Sequence, residues 1–576
     1  MPTHSFILGK DAPLESTINT LQAKLQAIGF HIQEQSWRNP VEGIWSVHIR
    51  DRDCPALFAN GHGASRMACL ASALGEFYER LVTHYFWTDV YLGPLTAHAP
   101  FVHDPQERWF DLTEDGSWPK GLLNAELLKL YNPEGNIDCA NLVDFNSGHQ
   151  ERGICAIPYV RQRDASTVYI PVNIIGNLYV SNGMSAGNTV AEARTQALSE
   201  IFERHVKAHI ISQGVCLPDV PEAVIQRYPR IAASIAALHA AGFGILVKDA
   251  SLGGKYPVIN VTLLHPDDQG CFASFGAHPR FEVALERALT ELLQGRTLDA
   301  LGGFFTPTFD LDEAASASNI ETHFMDSSGV MHWEFLGEIP DYVFVDWNFS
   351  GTTAQDYAFC VERMHADGFD IYIADFELLG VYACRILVPG MSEIYPVDDL
   401  DFENNSIANN MREAILNLTD LDNEECSELL ASLSASNLTD ERPVASLIGM
   451  VADAGSLWAD LRVGELKTLL ALACGDEAAT VEGCEWIRHF DQIPQQRRAV
   501  YACIETLVLL TDRGDTAPYV GAIRKLFGAG VFEQAHALIM QTDRFMGISA
   551  PGLMMDGCEM QHQLWAAYDK VLAYKS

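Results

Sequence analysis

No stretch of this sequence stays apolar for the roughly 18 residues that a membrane-spanning helix needs, and none of its 13 cysteines sits in a Cys-x-x-Cys pair. The first absence excludes a helical membrane protein. The second, with no Cys/His cluster at zinc spacing, excludes a zinc ribbon or a redox dithiol and points to reduced thiols in the cytoplasm. The opening "MPTHSFILGKDAPLEST" has no basic region followed by an apolar run that would redirect the chain. Cations are scarce: 38 Lys and Arg stand against 76 Asp and Glu, a net charge of -38. Binding to nucleic acid needs clustered cations, so a direct nucleic-acid role is excluded and basic proteins or peptides are the better partners. Acidity for solubility alone accounts for the same numbers. Also missing are a Walker loop, a dinucleotide fingerprint and any clear Ser/His/Asp or Cys/His nucleophile signature.

What is present is an ordinary soluble composition, 48% hydrophobic and 20% charged over 576 residues, enough for several domains. Strand-like runs recur to about residue 390: "IWSVHIRD", "TVYIPVNIIGNLYVS", "YPVINVTLL", "CFASFGAH", "DYVFVDWNF", "DIYIADFE" and "VYACRILVPG". Helical patterns lie between them at 65–86, 189–212, 230–241, 280–296 and 355–367. The mixture predicts an α/β (mixed α+β) domain over residues 1–400. Residues 406–576 read as all-helical, with breaks at "ACGDEA" and "TDRGDTAPY" about 40 residues apart. That spacing suggests a tetratricopeptide-like C-terminal domain for partner binding or self-association; a plain structural extension fits equally well.

Two segments share the pattern Ala-Leu-x-Glu-x-x-Glu-Arg: "ALGEFYERLVTHY" at 73–85 and "ALSEIFERHVKAH" at 197–209. In the first, Met67, Leu70, Leu74, Phe77, Tyr78 and Leu81 fall on one helical stripe and Glu76 and Glu79 on the other. Alone, this is a solvated face with an i,i+4 Glu76–Arg80 pair worth roughly 0.3 kcal/mol. In the second, Glu192, Gln196, Glu200, Glu203 and Lys207 form one file. Stacked carboxylates repel; facing a cleft, they call for a hard divalent cation. Glycine-rich lead-ins, "NGHGAS" and "SNGMSAGNT", precede the two helices. Glycine lets backbone N–H groups approach an anion, Ser or Thr caps the helix, and the helix dipole faces the same spot, although an unliganded cap reads alike. A third segment, "FGAHPRFEVALERALTELLQGR", puts Ala284, Arg287, Glu291 and Gln294 on one stripe. Its Arg precedes its Glu, the less favourable order for a pair that only steadies a helix. Converging, the three units would hold Mg²⁺ by glutamates and polyphosphate by arginines.

"GHGAS…SALGEFYER", "SNGMSAGNT…EARTQALSEIFER" and "ALERALTELLQGR" resemble the three signature blocks of the YcaO family. "GKDAPLEST" and "VYACRILVPGMSEIYP" fit as well, so the resemblance covers residues 1–400 closely and the helical tail in kind. It implies a YcaO-type ATP-binding fold with Mg²⁺-ATP between carboxylate-bearing helices, used to activate a peptide-bond oxygen. By motif position, Lys10, Thr17, Arg80, Ser185, Asn188, Glu192, Arg204 and Arg287 would contact ATP. Glu76, Glu79, Glu200, Glu203 and Glu291 would be the Mg²⁺-ligand pool, with Gln294 in support. A nucleophile adds to the amide carbonyl, the adduct's oxygen is phosphorylated, and that oxygen leaves. The enzyme's task is then charge neutralisation and alignment.

Two features depart from the family pattern. Gly61-His62-Gly63 stands where Gly-Lys-Gly is usual, exchanging a permanent charge for a titratable one. The chain ends "WAAYDKVLAYKS" and not in the Pro-x-Pro-x-Pro tail of azoline-forming members, which argues against peptide cyclodehydration. Members with such a helical tail are linked to β-methylthiolation of a small-subunit ribosomal protein beside a radical-SAM methylthiotransferase. Lacking a Cys-x-x-x-Cys-x-x-Cys motif, this chain would be the accessory factor, expected as a homodimer. Two rivals stay open: a nucleotide-binding scaffold without its own chemistry, and a carboxylate-metal hydrolase whose Mg²⁺ binding ignores both ATP and Arg204.

Overall fold

The computed structural model describes residues 5–96, 99–147, 152–349, 351–377, 379–436, 438–511, 514 and 516–575. Among them twelve strands pair into three sheets, antiparallel at every pairing. β1 (Ile32–Val41), β2 (Ile44–Asp51) and β3 (Phe58–Gly63) form the first sheet in that order. β4 (Arg108–Phe110), β5 (Ile154–Arg161), β6 (Thr167–Pro171) and β7 (Met184–Gly187) open the second. β8 (Gly244–Asp249), β9 (Val258–His265) and β10 (Gly270–Ala277) make the third, in the order β10-β9-β8. β11 (Tyr372–Phe376) and β12 (Tyr382–Leu387) complete the second sheet, β4-β5-β11-β12-β7, with β6 beside β5. The fold is mixed α+β with a helical C-terminal region.

Three strands each hand the chain to a helix that matters for the site. β3 leads to a first helix, Arg66–Val82; β7 to a second, Val190–Gln213; β10 to a third, Phe281–Leu292. The first two start where a hydroxyl replaces a missing backbone partner: Ser65 accepts from the Ala68 N–H and Thr189 from the Glu192 N–H. Each helix buries its apolar face in a separate core. Phe77 and Leu81 join the largest core, Phe202 and Val206 a second with Phe275 and Ile386, and Leu285 and Leu289 a third with Ile44 and Val261. The charged faces are thereby turned inward on one another.

The glycines of the lead-ins serve this packing. A Cβ on Gly61 would lie 2.3 Å from the Cys69 carbonyl oxygen, on Gly187 2.8 Å from the Ala193 nitrogen, and on Gly276 2.4 Å from the Ala284 carbonyl oxygen. Each strand thus lies backbone to backbone on the helix it precedes, while Gly63 and Gly187 of the two lead-ins line the cleft as well. Gly61→Ala should therefore cost about 1–3 kcal/mol through overpacking, read as a lowered urea midpoint at unchanged slope.

Two expected strands differ. "TVYIPVNIIGNLYVS" leaves its strand at Pro171 and becomes helical over Val172–Tyr179. Ile174, Ile175, Leu178 and Tyr179 are all buried at i, i+1, i+4, i+5, a helical spacing inside a β-branched run. Asn173 and Asn177 hold that helix to Asn404 and Asn405. "DYVFVDWNF" runs extended without a ladder, its backbone tied to Cys216 and to the Asp249 carboxylate.

In the tail, the helices Asn423–Ala435, Val463–Cys474, Glu477–His489, Gln495–Thr511 and Ala529–Ile539 pack one on the next in chain order. This stacking is all that supports the tetratricopeptide reading, and part of the "TDRGDTAPY" break lies outside the described residues. The last helix, Glu559–Lys575, turns back into the N-terminal half. Trp87 donates to the Leu564 carbonyl (3.1 Å), Tyr568 to the Val102 carbonyl (2.9 Å) and Lys575 to the Val82 carbonyl (3.0 Å). One core runs from Ile18 to Val571 as a result. No helix among the described residues is long and apolar enough to cross a membrane.

Candidate functional site

Every site residue singled out in the sequence, from Lys10 to Gln294, lines a single cleft of about 1250 Å³ between the three helices. At one end the start of the second helix meets the N-terminal segment. Glu192 accepts from Lys10 (3.2 Å), from the Asp11 backbone (2.9 Å) and from the Asn188 amide (3.0 Å), while the Thr17 hydroxyl donates to Asn188 (2.9 Å). Asp11 accepts from the Thr189 hydroxyl and from Thr353 (2.8 Å), so this one carboxylate joins three segments. Nothing in the sequence marks Asp11 beyond its place after Lys10. Ser185 lies buried on β7 in the same wall.

The centre holds the carboxylates. Glu76 pairs with Arg80 at 2.6 Å and Glu200 with Arg204 at 2.9 Å, while Glu203 accepts from the Ala277 N–H at the end of β10 (3.2 Å). Burial raises Glu76 to about 7 against the pull of Arg80, with Glu200 and Glu291 adding to the rise. Burial, then Glu200 and Glu76, push Glu79 well above the carboxylate range. Burial and Glu291 push Glu203 up too. Burial works against the Arg204 charge, but Glu200, Glu203 and Glu291 more than offset it and raise its pKa. A wet helix face would show none of this: Glu203 is buried, and Glu76, Glu79 and Glu200 are half-buried, with Glu200 close enough to raise the other two.

At the far end stand Arg287, Glu291 and Gln294, the last just beyond the third helix. Ala284 is not with them: it is buried against Gly276, and Val283, one turn before Arg287, takes its place in the cleft. Lys207 closes the file on the second helix by donating to the His323 carbonyl (2.6 Å) and the Ser327 hydroxyl (2.7 Å), and Arg204 lies over the Phe324 ring at 4.3 Å. Phe324 and His278 also line the cleft and carry no sequence signal.

His62 bonds through Nδ1 to the Thr290 hydroxyl at 2.7 Å, and burial lowers its pKa to about 4. At neutral pH it carries no charge, so the usual lysine is replaced by a neutral bridge between the first sheet and the third helix, not by a switchable cation. Its ring resonances should titrate near 4 in an NMR pH series; a midpoint near the ordinary 6.5 would contradict the buried placement.

The donor set fits a hard divalent cation with a polyphosphate. Glutamate oxygens suit Mg²⁺, and the guanidiniums of Arg80, Arg204 and Arg287, which line the same cleft, suit a polyphosphate's oxygens. As placed, no three acidic, His or Cys side chains among the described residues already form a metal cage, because Glu76 and Glu200 are drawn aside by their arginines. No cysteine lines the cleft, and burial pushes thiols such as Cys69 and Cys271 up to about 12, away from thiolate chemistry.

An antiparallel α+β body, three helices presenting carboxylates and guanidiniums to one cleft, and a helical extension define the class to which this protein belongs. The chain belongs to the YcaO family: residues 60–392 match the family model described as YcaO cyclodehydratase, ATP- and Mg²⁺-binding, and residues 408–576 match the YcaO cyclodehydratase C-terminal domain. It is 48% identical over 580 residues to the ribosomal protein S12 methylthiotransferase accessory factor YcaO of Escherichia coli K12, covering 100% of this chain and 99% of that one. An uncharacterized protein of Haemophilus influenzae is likewise 48% identical over 580 residues, 99% of this chain and 98% of that one. Among solved structures, a heterocyclase in complex with substrate and cofactor is similar at a TM-score of 0.46 and 17% identity, over 68% of this chain and 55% of that one. YcaO from Methanopyrus kandleri bound with AMPPCP and Mg²⁺ is similar at 0.39 and 17%, over 68% and 95%. Likeness at that level transfers no residue role.

Proposed function

We propose that the cleft holds Mg²⁺-ATP and that the protein uses it on a peptide or protein substrate. The observation that carries this reading is the convergence, from three separately cored helices, of closely set carboxylates with Arg80, Arg204 and Arg287 in one cleft. On this reading Glu76, Glu79, Glu200, Glu203 and Glu291 ligate Mg²⁺, and Arg80, Arg204 and Arg287 meet phosphate oxygens. Lys10, Thr17, Ser185, Asn188 and Glu192 hold the opposite end of the nucleotide. Bound there, Mg²⁺-ATP would supply the phosphoryl group that turns a peptide-bond oxygen into a leaving group. The chain's own residues neutralise charge, align the reacting oxygen and exclude water, so no protein nucleophile is required.

The physiological role we infer is that of accessory factor for β-methylthiolation of ribosomal protein S12, the role stated in the name of the E. coli relative. The protein would act in the cytoplasm, as a homodimer, beside a methylthiotransferase. ATP turnover measured with and without S12 and that enzyme, resolving ADP from AMP, tests it: turnover that ignores both proteins would count against the role. Mg²⁺ binding that survives both ATP removal and Arg204→Ala would favour the nucleotide-independent hydrolase instead. One observation favours the scaffold reading. Lys575 of the last helix is docked on Val82, at the end of the first helix, and no described residue of the 406–576 region lines the cleft. A scaffold would bind ATP and leave it intact in the presence of both partners.

A further inference from the structure

The segment from Thr297 to Glu362 roofs part of the cleft through His323, Phe324 and Ser327, and its composition is unlike the rest. It contains twelve Asp and Glu and not one Lys or Arg, in a chain with 38 Lys and Arg among 576 residues. The same segment exposes large apolar side chains: Phe309 is 83% accessible, Ile339 88% and Val343 82%. Single exposed apolar residues are ordinary, but these gather in one region. Trp333 stacks on Phe309 with ring centroids 5.7 Å apart. Leu311, His332 and Glu334 all approach Gly214, which ends the second helix. Two residues on, the Cys216 N–H donates to the Asp341 carboxylate (2.9 Å) and the Asp341 N–H to the Cys216 carbonyl (3.0 Å). The loops bearing Phe309, Trp333 and Ile339 are thus pinned around one helix end, with Asp310, Asp312 and Glu338 on the same loops. That helix end is itself the negative pole of a helix dipole. Met325, from the same segment and 70% exposed, lines the cleft.

We propose that this face docks a cationic segment of a protein substrate, in which Lys or Arg alternates with large apolar side chains, and leads it past Met325 into the cleft. The exposed aromatic and aliphatic groups supply affinity, and the carboxylates on these loops supply selection and encounter rate. Their field repels nucleic acid and anionic lipid and attracts a basic polypeptide, which is the occupant we assign. The delivery step rests on the reading that the cleft acts on protein; the docking itself does not.

The test uses the full chain and three labelled short peptides: one alternating Lys with Leu, a twin with Lys replaced by Gln, and a twin with Leu replaced by Ser. By fluorescence anisotropy the first should bind about tenfold or more tightly than either twin, and more weakly as salt rises. Phe309→Ser with Ile339→Ser and Val343→Ser should lose that advantage, as should, separately, Asp310→Asn with Asp312→Asn and Glu338→Gln. Equal binding of the peptide by the wild type and both variants would overturn the proposal, since the charge of the whole molecule would then explain it. A wild-type dimer in sedimentation that the apolar variant splits would also overturn it, giving the face to self-association. The Mg²⁺-ATP thermal shift should be unchanged in both variants; its absence from the wild type while peptide binding persists would remove the nucleotide reading and leave the docking face standing.

Discussion

Glu203→Gln should abolish the thermal stabilisation that Mg²⁺-ATP confers on the wild-type chain, and Glu200→Gln should do the same. At a nucleotide concentration a hundredfold above Kd the stabilisation at stake is about 2.7 kcal/mol. The ligand-free variants should stay folded, because both positions lie on a helix whose apolar side is fixed in its own core. Glu203→Gln should be as stable as the wild type or more so above neutral pH. Its carboxyl is pushed up by burial and by Glu291, so ionising it in the folded state is costly. A carboxyl raised in the folded state binds more protons native than unfolded, so stability falls as pH rises from the unfolded to the folded pKa. For Glu76 the window runs from the ordinary 4.5 to about 7. Its side chain is 26% exposed, so about 3 kcal/mol is an upper bound on its share. Calorimetry of the ligand-free protein should therefore show stability declining from pH 5 to pH 8, less steeply in Glu76→Gln. An unchanged ATP response in both the Glu200 and Glu203 variants would remove the proposed site.

Deleting the last helix, Glu559–Lys575, should unfold the cleft along with the tail. Leu564, Trp565, Tyr568 and Val571 are buried among Trp87, Tyr91 and the first helix. At 1.5–3 kcal/mol per large side chain their loss removes on the order of 6–12 kcal/mol, as much as a typical protein's whole stability. Lys575 adds a specific link, since its Nζ meets the Val82 carbonyl where the helix bearing Glu76 and Glu79 ends. A chain cut at residue 405, where the sequence changes texture, should fail for the same reason. Circular dichroism and gel filtration of both truncations would decide: a folded 1–405 fragment that still answers Mg²⁺-ATP would show that the two halves are independent.

Much of the site could be read from the sequence because it depends on helical spacing. A file of Glu192, Gln196, Glu200 and Glu203 defines a face at any tertiary arrangement, and all four line the cleft. "IWSVHIRD" alternates from Ser46 to Arg50 in polarity and is a strand over its full length, Ile44–Asp51. What was not legible depends on which surface comes to cover a residue. The segment at 172–179 is rich in β-branched residues yet helical, because buried contacts and the Asn404/Asn405 partners outweigh propensity. Ala284 lies at the edge of its stripe, and the approach of Gly276 decides that it faces inward. His62 looks titratable until burial is known. The destination of the last helix is equally invisible, since any amphipathic tail pattern would read alike.

The glycine contacts of Gly61, Gly187 and Gly276 also bear on motion. With each helix backbone keyed to its own strand at less than 3 Å from a would-be Cβ, no helix can slide or roll on its strand, and each wall of the cleft can shift only as a strand-helix unit. The strap around Lys10 and Asp11 and the roof from His323 to Ser327, by contrast, are fastened to the second helix by a few polar bonds. Those two segments can open on the timescale of loops while each helix keeps its strand, so access to the cleft does not require the strand-helix pairs to come apart.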